Sequence, residues 1–212
     1  MRQTLVLVFV LLVAALAAPA QGKVFLTTKE ALSLAFPKCK VERKKYVLDE
    51  DRKAKAEKLA GHAPRRAMVY AYEARKNGKL VGTAYFDRHR VRSKQELVMI
   101  VVDPTSKVRR IEVIAFEEPT DYLPRGSFYA QFVGRGLDAK LSTKRDIVGV
   151  AGSTLTVNAT IEAVRRILAA HMVLHPDQVA RQKKKKAKPK PKPKPKPKPR
   201  PPVGVVGSAV GR

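Results

Sequence analysis

The 212-residue chain contains no tryptophan and a single cysteine, Cys39. One cysteine excludes an internal disulfide framework, even in a compartment that permits one. There is no CxxC pair, and no haem attachment is supported. The four histidines, His62, His89, His171 and His175, are scattered. Only His171 and His175, four apart on one helical stretch, have a spacing that could clip a metal, and no third ligand is evident. The phosphate-loop pattern GxxxxGK[ST] is absent. Acidic residues are also scarce, with 18 Asp and Glu against 44 Lys and Arg, a formal net charge of +26. No pairing of acid with base, or of nucleophile with base, is visible.

Long apolar runs are missing too. The longest, Leu5 to Ala18, spans 14 residues, short of the roughly 20 that a membrane helix needs. It follows Arg2 and precedes the small residues Ala18-Pro19-Ala20. That order reads as a secretory signal peptide over residues 1–20, with an uncleaved N-terminal anchor as the alternative. Cys39 lies well beyond the run, so no lipoprotein box is present. The expected location is therefore exported, in the bacterial periplasm.

At the other end, residues 179–212 form a Lys- and Pro-rich basic tail. Arg181 to Arg200 holds twelve positive charges and no negative one. Alternating Lys-Pro cannot form a helix or bury apolar surface, so a disordered, extended, solvated segment is expected. In an exported chain its partner is an anionic envelope surface or an acidic redox protein rather than nucleic acid, or it serves as a spacer.

Residues 21–178 then make one ordinary domain. Thr27 to Phe36 reads as a helix ended by Pro37, and Leu48 to Gly61 as a second one. Asn77-Gly78 separates two alternating strands, and Asp103-Pro104-Thr105 separates two more. Pro124 to Arg135 reads as helical, ending at Gly134 or Gly136. The last helix is expected from Asn158 to about Leu174, capped by Asn158 or Thr156, with Glu162 in its first turn. The fold class is α+β: an antiparallel sheet of about four strands from two hairpins, with helices packed on it.

The stretch VAGSTLTVNATIEAVRRIL, Val150 to Leu168, places a glycine and hydroxyls just ahead of that helix. A helix N-terminus offers unpaired N–H groups and partial positive charge. On the residues alone, this is either a phosphate cradle or a strand-to-helix turn with a capping threonine.

Ala151-Gly152-Ser153-Thr154-Leu155-Thr156 resembles the SGATxT motif of the FMN-binding domain family. That family includes flavoprotein components of the Na+-translocating NADH:quinone reductase and of the Rnf complex, NosR-type proteins and small exported single-domain members. Further upstream, Phe116 to Pro119 with Asp121-Tyr122-Leu123 resembles the family's ETPGLG-like segment. Phe128, Phe132 and Gly134 resemble its aromatic-x-x-x-Phe-x-Gly helix. The likeness spans roughly residues 27–174. Ala151 stands where the family has Ser, Ser153 where it has Ala, and Val148 where it has the aspartate of the transferase's recognition pattern.

The resemblance implies FMN esterified through its phosphate to Thr154 by an exported flavin transferase. Gly152, Ser153, Leu155 and Thr156 would surround the phosphate. Tyr122, Leu123 or Phe128 would lie against the ring, and Glu118 would accept a bond from the ribityl chain or ring. Arg88, Arg90, Arg92, Arg109 and Arg110 would favour the anionic reduced flavin. The implied function is electron transfer between a membrane donor and an envelope acceptor, a carrier more than a substrate-transforming enzyme. The alternatives are a flavin-free exported binding protein that docks through its basic tail, and a flavin-dependent reductase.

Overall fold

The computed structural model describes residues 22–178. The expected signal peptide and the Lys-Pro tail lie outside the described residues. Six strands are present: β1 Lys23–Val24, β2 Lys40–Val47, β3 Met68–Lys76, β4 Lys79–Arg90, β5 Gln95–Val102 and β6 Val108–Phe116. The helices are α1 Thr28–Ala35, α2 Glu50–Ala60, α3 Gly126–Ala130 and α4 Thr154–Leu174.

Both expected hairpins form. Asn77 and Gly78 take positive φ, 50° and 75°, the backbone of a two-residue turn whose twist matches the flanking strands β3 and β4. Asp103 shapes the β5–β6 turn by accepting from the Thr105 and Lys107 N–H groups at 2.7 and 3.0 Å, an Asx turn. A third hairpin joins β4 to β5 across 91–94, closed by Val91 N–H to the Lys94 carbonyl at 3.0 Å.

The sheet is antiparallel in the order β1-β6-β5-β4-β3-β2, so the expectation of about four strands is corrected to six. The two extra strands are the edges. In β2, KVERKKYV, five of the eight residues are charged. That composition hides the strand from pattern reading and suits an exposed edge, where charge discourages further pairing. Beneath the charge, Val41 packs toward α1 and Tyr46 toward α4, as a period of two requires. β1 is too short for any pattern: it holds only the register Lys23↔Phe116 and Val24↔Ala115.

Helix α1 opens on a capping box. Thr27 accepts from Glu30 N–H at 3.2 Å, and the Glu30 carboxylate accepts from Thr27 N–H at 2.7 Å. It covers one sheet face, where Ala31, Ala35 and Phe36 meet Ala74, Ala84, Met99 and Val101. The other face is covered by α4, through Val157, Ile161, Val164 and Leu168 against Ala71, Tyr85, Val98 and Ile100. Asp49 caps α2 through Arg52 N–H at 2.8 Å, and α2 packs on α4 through Ala56, Ala60 and Ala169. Sheet on one side and α2 on another explain why α4 is apolar around most of its circumference.

Two helix expectations are corrected. The helix expected over 124–135 is only Gly126–Ala130. Gly134 N–H donates to Val108 carbonyl at 2.7 Å and Val108 N–H to Arg135 carbonyl at 2.8 Å, which draws the chain onto the start of β6 and out of the helix. The last helix starts at Thr154, four residues earlier than expected. Asn158 therefore lies within it, Thr156 is not its cap, and Glu162 is well past the first turn, beside Arg166 at 3.5 Å.

Candidate functional site

The start of α4 follows Gly152, whose φ of 80° is left-handed and favours glycine. That residue turns the chain so that Ser153 becomes the N-cap, with Val157 N–H donating to the Ser153 carbonyl at 2.9 Å. No side chain caps this end and no acidic residue occupies the first turn. The first-turn N–H groups of a 21-residue helix, with their positive dipole end, are thus left without a side-chain acceptor.

The three hydroxyls of the motif differ sharply in accessibility. Ser153 is 4% exposed and Thr156 1%, whereas Thr154 is exposed. Thr156 is also committed, its hydroxyl donating to the Tyr122 carbonyl at 2.7 Å. That bond ties the 3-10 turn Thr120–Tyr122 to the first turn of α4. Tyr122 is 36% exposed, with the Arg92 guanidinium 5.9 Å from its ring centre. Leu155 is 52% exposed. The site therefore presents an open hydroxyl, open backbone donors and exposed apolar surface around one tether.

Leu123, the residue after Tyr122, packs on the main core. It also opens a groove of about 590 Å³ between β6 and α3, lined by Ile111, Val113, Tyr129 and Val133, within the size range of cofactor sites. Val148 is held on the surface by Gln131, whose side chain accepts from Val148 N–H at 2.8 Å and donates to its carbonyl at 3.1 Å. Of the expected site residues, the structure brings together Gly152, Ser153, Thr154, Leu155, Thr156, Tyr122 and Leu123.

Glu118 and Phe128 are committed to other contacts. Phe128 is buried in the core, edge-on to Tyr129 and Phe132. The Glu118 carboxylate accepts from Ser93 and Lys94 N–H groups, each at 2.6 Å, and from the Ser93 hydroxyl at 3.1 Å. It fastens the β4–β5 turn to the end of β6. Burial pushes this carboxyl up, but the backbone donors outweigh that and hold it below its ordinary value. Glu118→Ala is expected to lower stability by about 1–3 kcal/mol, because those N–H groups lose a charged acceptor; urea unfolding measures it. Among the arginines, Arg88 bonds Gln95 and Glu117 at 3.3 and 3.4 Å, Arg110 pairs with Glu112, and Arg109 lines the groove.

A second polar constellation went unread in the sequence. His89 lies between two carboxylates: Nδ1 is 2.9 Å from Asp87 and Nε2 is 3.0 Å from Glu96. Tyr129 and Thr160 donate to Glu96 at 3.2 and 3.3 Å, and Arg166 donates to Asp87 at 3.3 Å. All six residues are buried. Burial pushes the imidazole down, but its bonds to Asp87 and Glu96 outweigh this and hold it above its ordinary value. Asp87 is pushed up by burial and pulled down further by His89 and Arg166, ending below its ordinary value. The signal was present: Asp87 and His89 alternate on one face of β4, and His89↔Glu96 is a cross-strand pair.

Among the described residues, no three His, Cys, Asp or Glu side chains gather to hold a metal. No described helix is long and apolar enough to cross a membrane. No family model matches the chain, and no curated protein matches it.

Proposed function

We propose that the protein is an exported electron carrier holding FMN through a phosphoester to Thr154. The observation that carries this reading is the accessibility of one hydroxyl. In a motif with three candidates, Ser153 and Thr156 are buried, and Thr154 stands exposed on the first turn of a long helix with no side-chain cap. The donor set suits the group, since open helix N–H groups donate to phosphate oxygens without need of further cations.

When bound, the flavin supplies one- or two-electron chemistry. The chain's own part is to hold, orient and shield. Thr154 fixes the phosphate and so prevents loss of the cofactor in a compartment without an FMN supply. The first-turn N–H groups hold the phosphate's negative charge. Thr156 keeps Tyr122 against the helix, so that the half-exposed ring and Leu155 offer apolar surface beside the attachment point. Arg92, 5.9 Å from the Tyr122 ring centre, would add positive charge that favours an anionic reduced flavin. The basic tail would bring the domain to an anionic envelope surface or an acidic partner. A membrane donor and an envelope acceptor complete the path.

The test is the intact mass of the denatured protein after co-expression with an exported flavin transferase. A gain of one FMN less one water, absent in Thr154→Ala, is the expected result. A chain of unchanged mass and without yellow colour would remove the proposal.

A further inference from the structure

We infer that the gap between β3 and β4 binds a small organic anion, a carboxylate or phosphate carried on a flat apolar body. The gap arises from the strand register. β3 and β4 pair only from Tyr72↔Ala84 to Lys76↔Lys79. Beyond that point Met68–Ala71 pair with β2 alone and Tyr85–Arg90 with β5 alone. The two strands diverge, and no ladder pair joins these segments. A cleft of about 350 Å³ occupies the space, the size of a small-molecule site.

Its walls define the ligand. Met68, Tyr70 and Tyr85 give apolar and aromatic surface, and Arg65, Arg66 and Arg166 line it with positive charge. Arg166 is 7% exposed. Its terminal nitrogens reach Asp87 and Glu162 at 3.3 and 3.5 Å, while its Nε is buried with no hydrogen-bond partner. A buried guanidinium donor left unpaired is costly, and Arg166 is among the residues that line the cleft. Arg65 and Arg66 are exposed, and neither makes a hydrogen bond or ion pair among the described residues; the charge of Arg65 acts on Asp87.

Asp87 also lines the cleft, yet it does not make the site repel anions. Its carboxylate is paired with His89 and Arg166, which Glu96 and Glu162 also share, so the unpaired charges on the cleft wall are those of Arg65 and Arg66. The same sign excludes the chain's own Lys-Pro tail as occupant. It also disfavours a second copy of a chain carrying +26. The cleft is separate from the attachment threonine. Arg166 lies twelve residues along α4 from Thr154, about 18 Å at 1.5 Å per residue, so this inference does not rest on the flavin reading.

The test is an amide-shift titration of the 15N-labelled full chain with 2-naphthoate, a carboxylate on a flat apolar body. Shifts are expected at Val69, Tyr70, Phe86 and Asp87, with inorganic phosphate alone binding more weakly. Arg65→Ala/Arg66→Ala removes two exposed, unpartnered charges, and circular dichroism should show an unchanged fold. It is expected to weaken binding at least about tenfold, equivalent to 1.4 kcal/mol. Met68→Glu, which adds a negative charge at an exposed lining position, is expected to weaken it similarly. Shifts confined to the tail or to the β6–α3 groove would overturn the inference. So would affinity unchanged in both variants, or phosphate binding as tightly as naphthoate.

Discussion

His89→Ala is expected to lower folding stability by about 3–5 kcal/mol, the cost of leaving buried charges without their partner. The imidazole is fully enclosed, and each ring nitrogen meets a carboxylate, Asp87 at 2.9 Å and Glu96 at 3.0 Å. Remove the ring, and Glu96, itself 0% exposed, keeps only the Tyr129 and Thr160 hydroxyls. Asp87 keeps Arg166. A small domain has about 5–15 kcal/mol in total, so the loss would be plain in the urea midpoint, with the slope checked for change. A loss below about 1 kcal/mol would mean that the two carboxylates do not depend on an imidazolium between them.

The same group gives a pH signature of definite sign. The folded-state value of His89 lies above the ordinary 6.5. Its contribution is therefore fully present below pH 6.5 and is lost as pH rises through the folded value. Asp87 is depressed from 3.8, so its contribution is present above that value and is lost as pH falls through the lowered one. His171 opposes His89. Burial first, then the neighbouring His175, brings it down to about 3. It stays neutral in the fold and costs stability as pH falls below 6.5. The wild-type curve sums these effects, so the informative quantity is wild type minus His89→Gln. That difference is expected to shrink with alkaline pH, by at most about 1.4 kcal/mol per pH unit for one proton. A flat difference between pH 6 and 10 would show that the fold does not raise His89 above its ordinary value.

What was legible in the sequence, and what was not, divides along the range of the interactions. The Asn77-Gly78 turn, the Thr27–Glu30 capping box and the Asp49 cap are each set within a few residues; the turn and the two helices are read from the sequence, and the box and the Asp49 cap are found in the structure. β2 could not be read, because its pairing with β3 is decided across the sheet while its own residues are mostly charged. The early end of α3 depends on Val108 binding Gly134 and Arg135, a contact no local pattern carries. The His89 site depends on a hairpin register placing Glu96 opposite it and on α4 bringing Thr160 and Arg166. The divergence of β3 from β4 is likewise a property of the sheet. In the candidate flavin site, the glycine and hydroxyl cluster was readable as a motif. Which hydroxyl is open was not, because Ser153 and Thr156 are buried by packing, and Thr156 by its reach to Tyr122.

That difference in access makes the attachment experiment discriminating among neighbouring hydroxyls. Thr154→Ala is expected to abolish the covalent mass gain, and Thr154→Ser to retain it, since a hydroxyl remains on the exposed first turn. Thr156→Val keeps the shape but removes the donor to Tyr122, so the mass gain should persist while stability falls by about 1 kcal/mol. Ser153→Ala should leave the mass gain intact, because that side chain is buried and caps nothing. Val148→Asp tests the departure from the transferase pattern. Val148 is 72% exposed and is held through its backbone by Gln131, so an aspartate fits there without burying charge, and it is expected to raise the flavinylated fraction. Mass gain surviving in Thr154→Ala but lost in Thr156→Val would move the attachment point into the helix interior and contradict the accessibility on which the assignment stands. Loss in neither would detach the chemistry from this motif altogether.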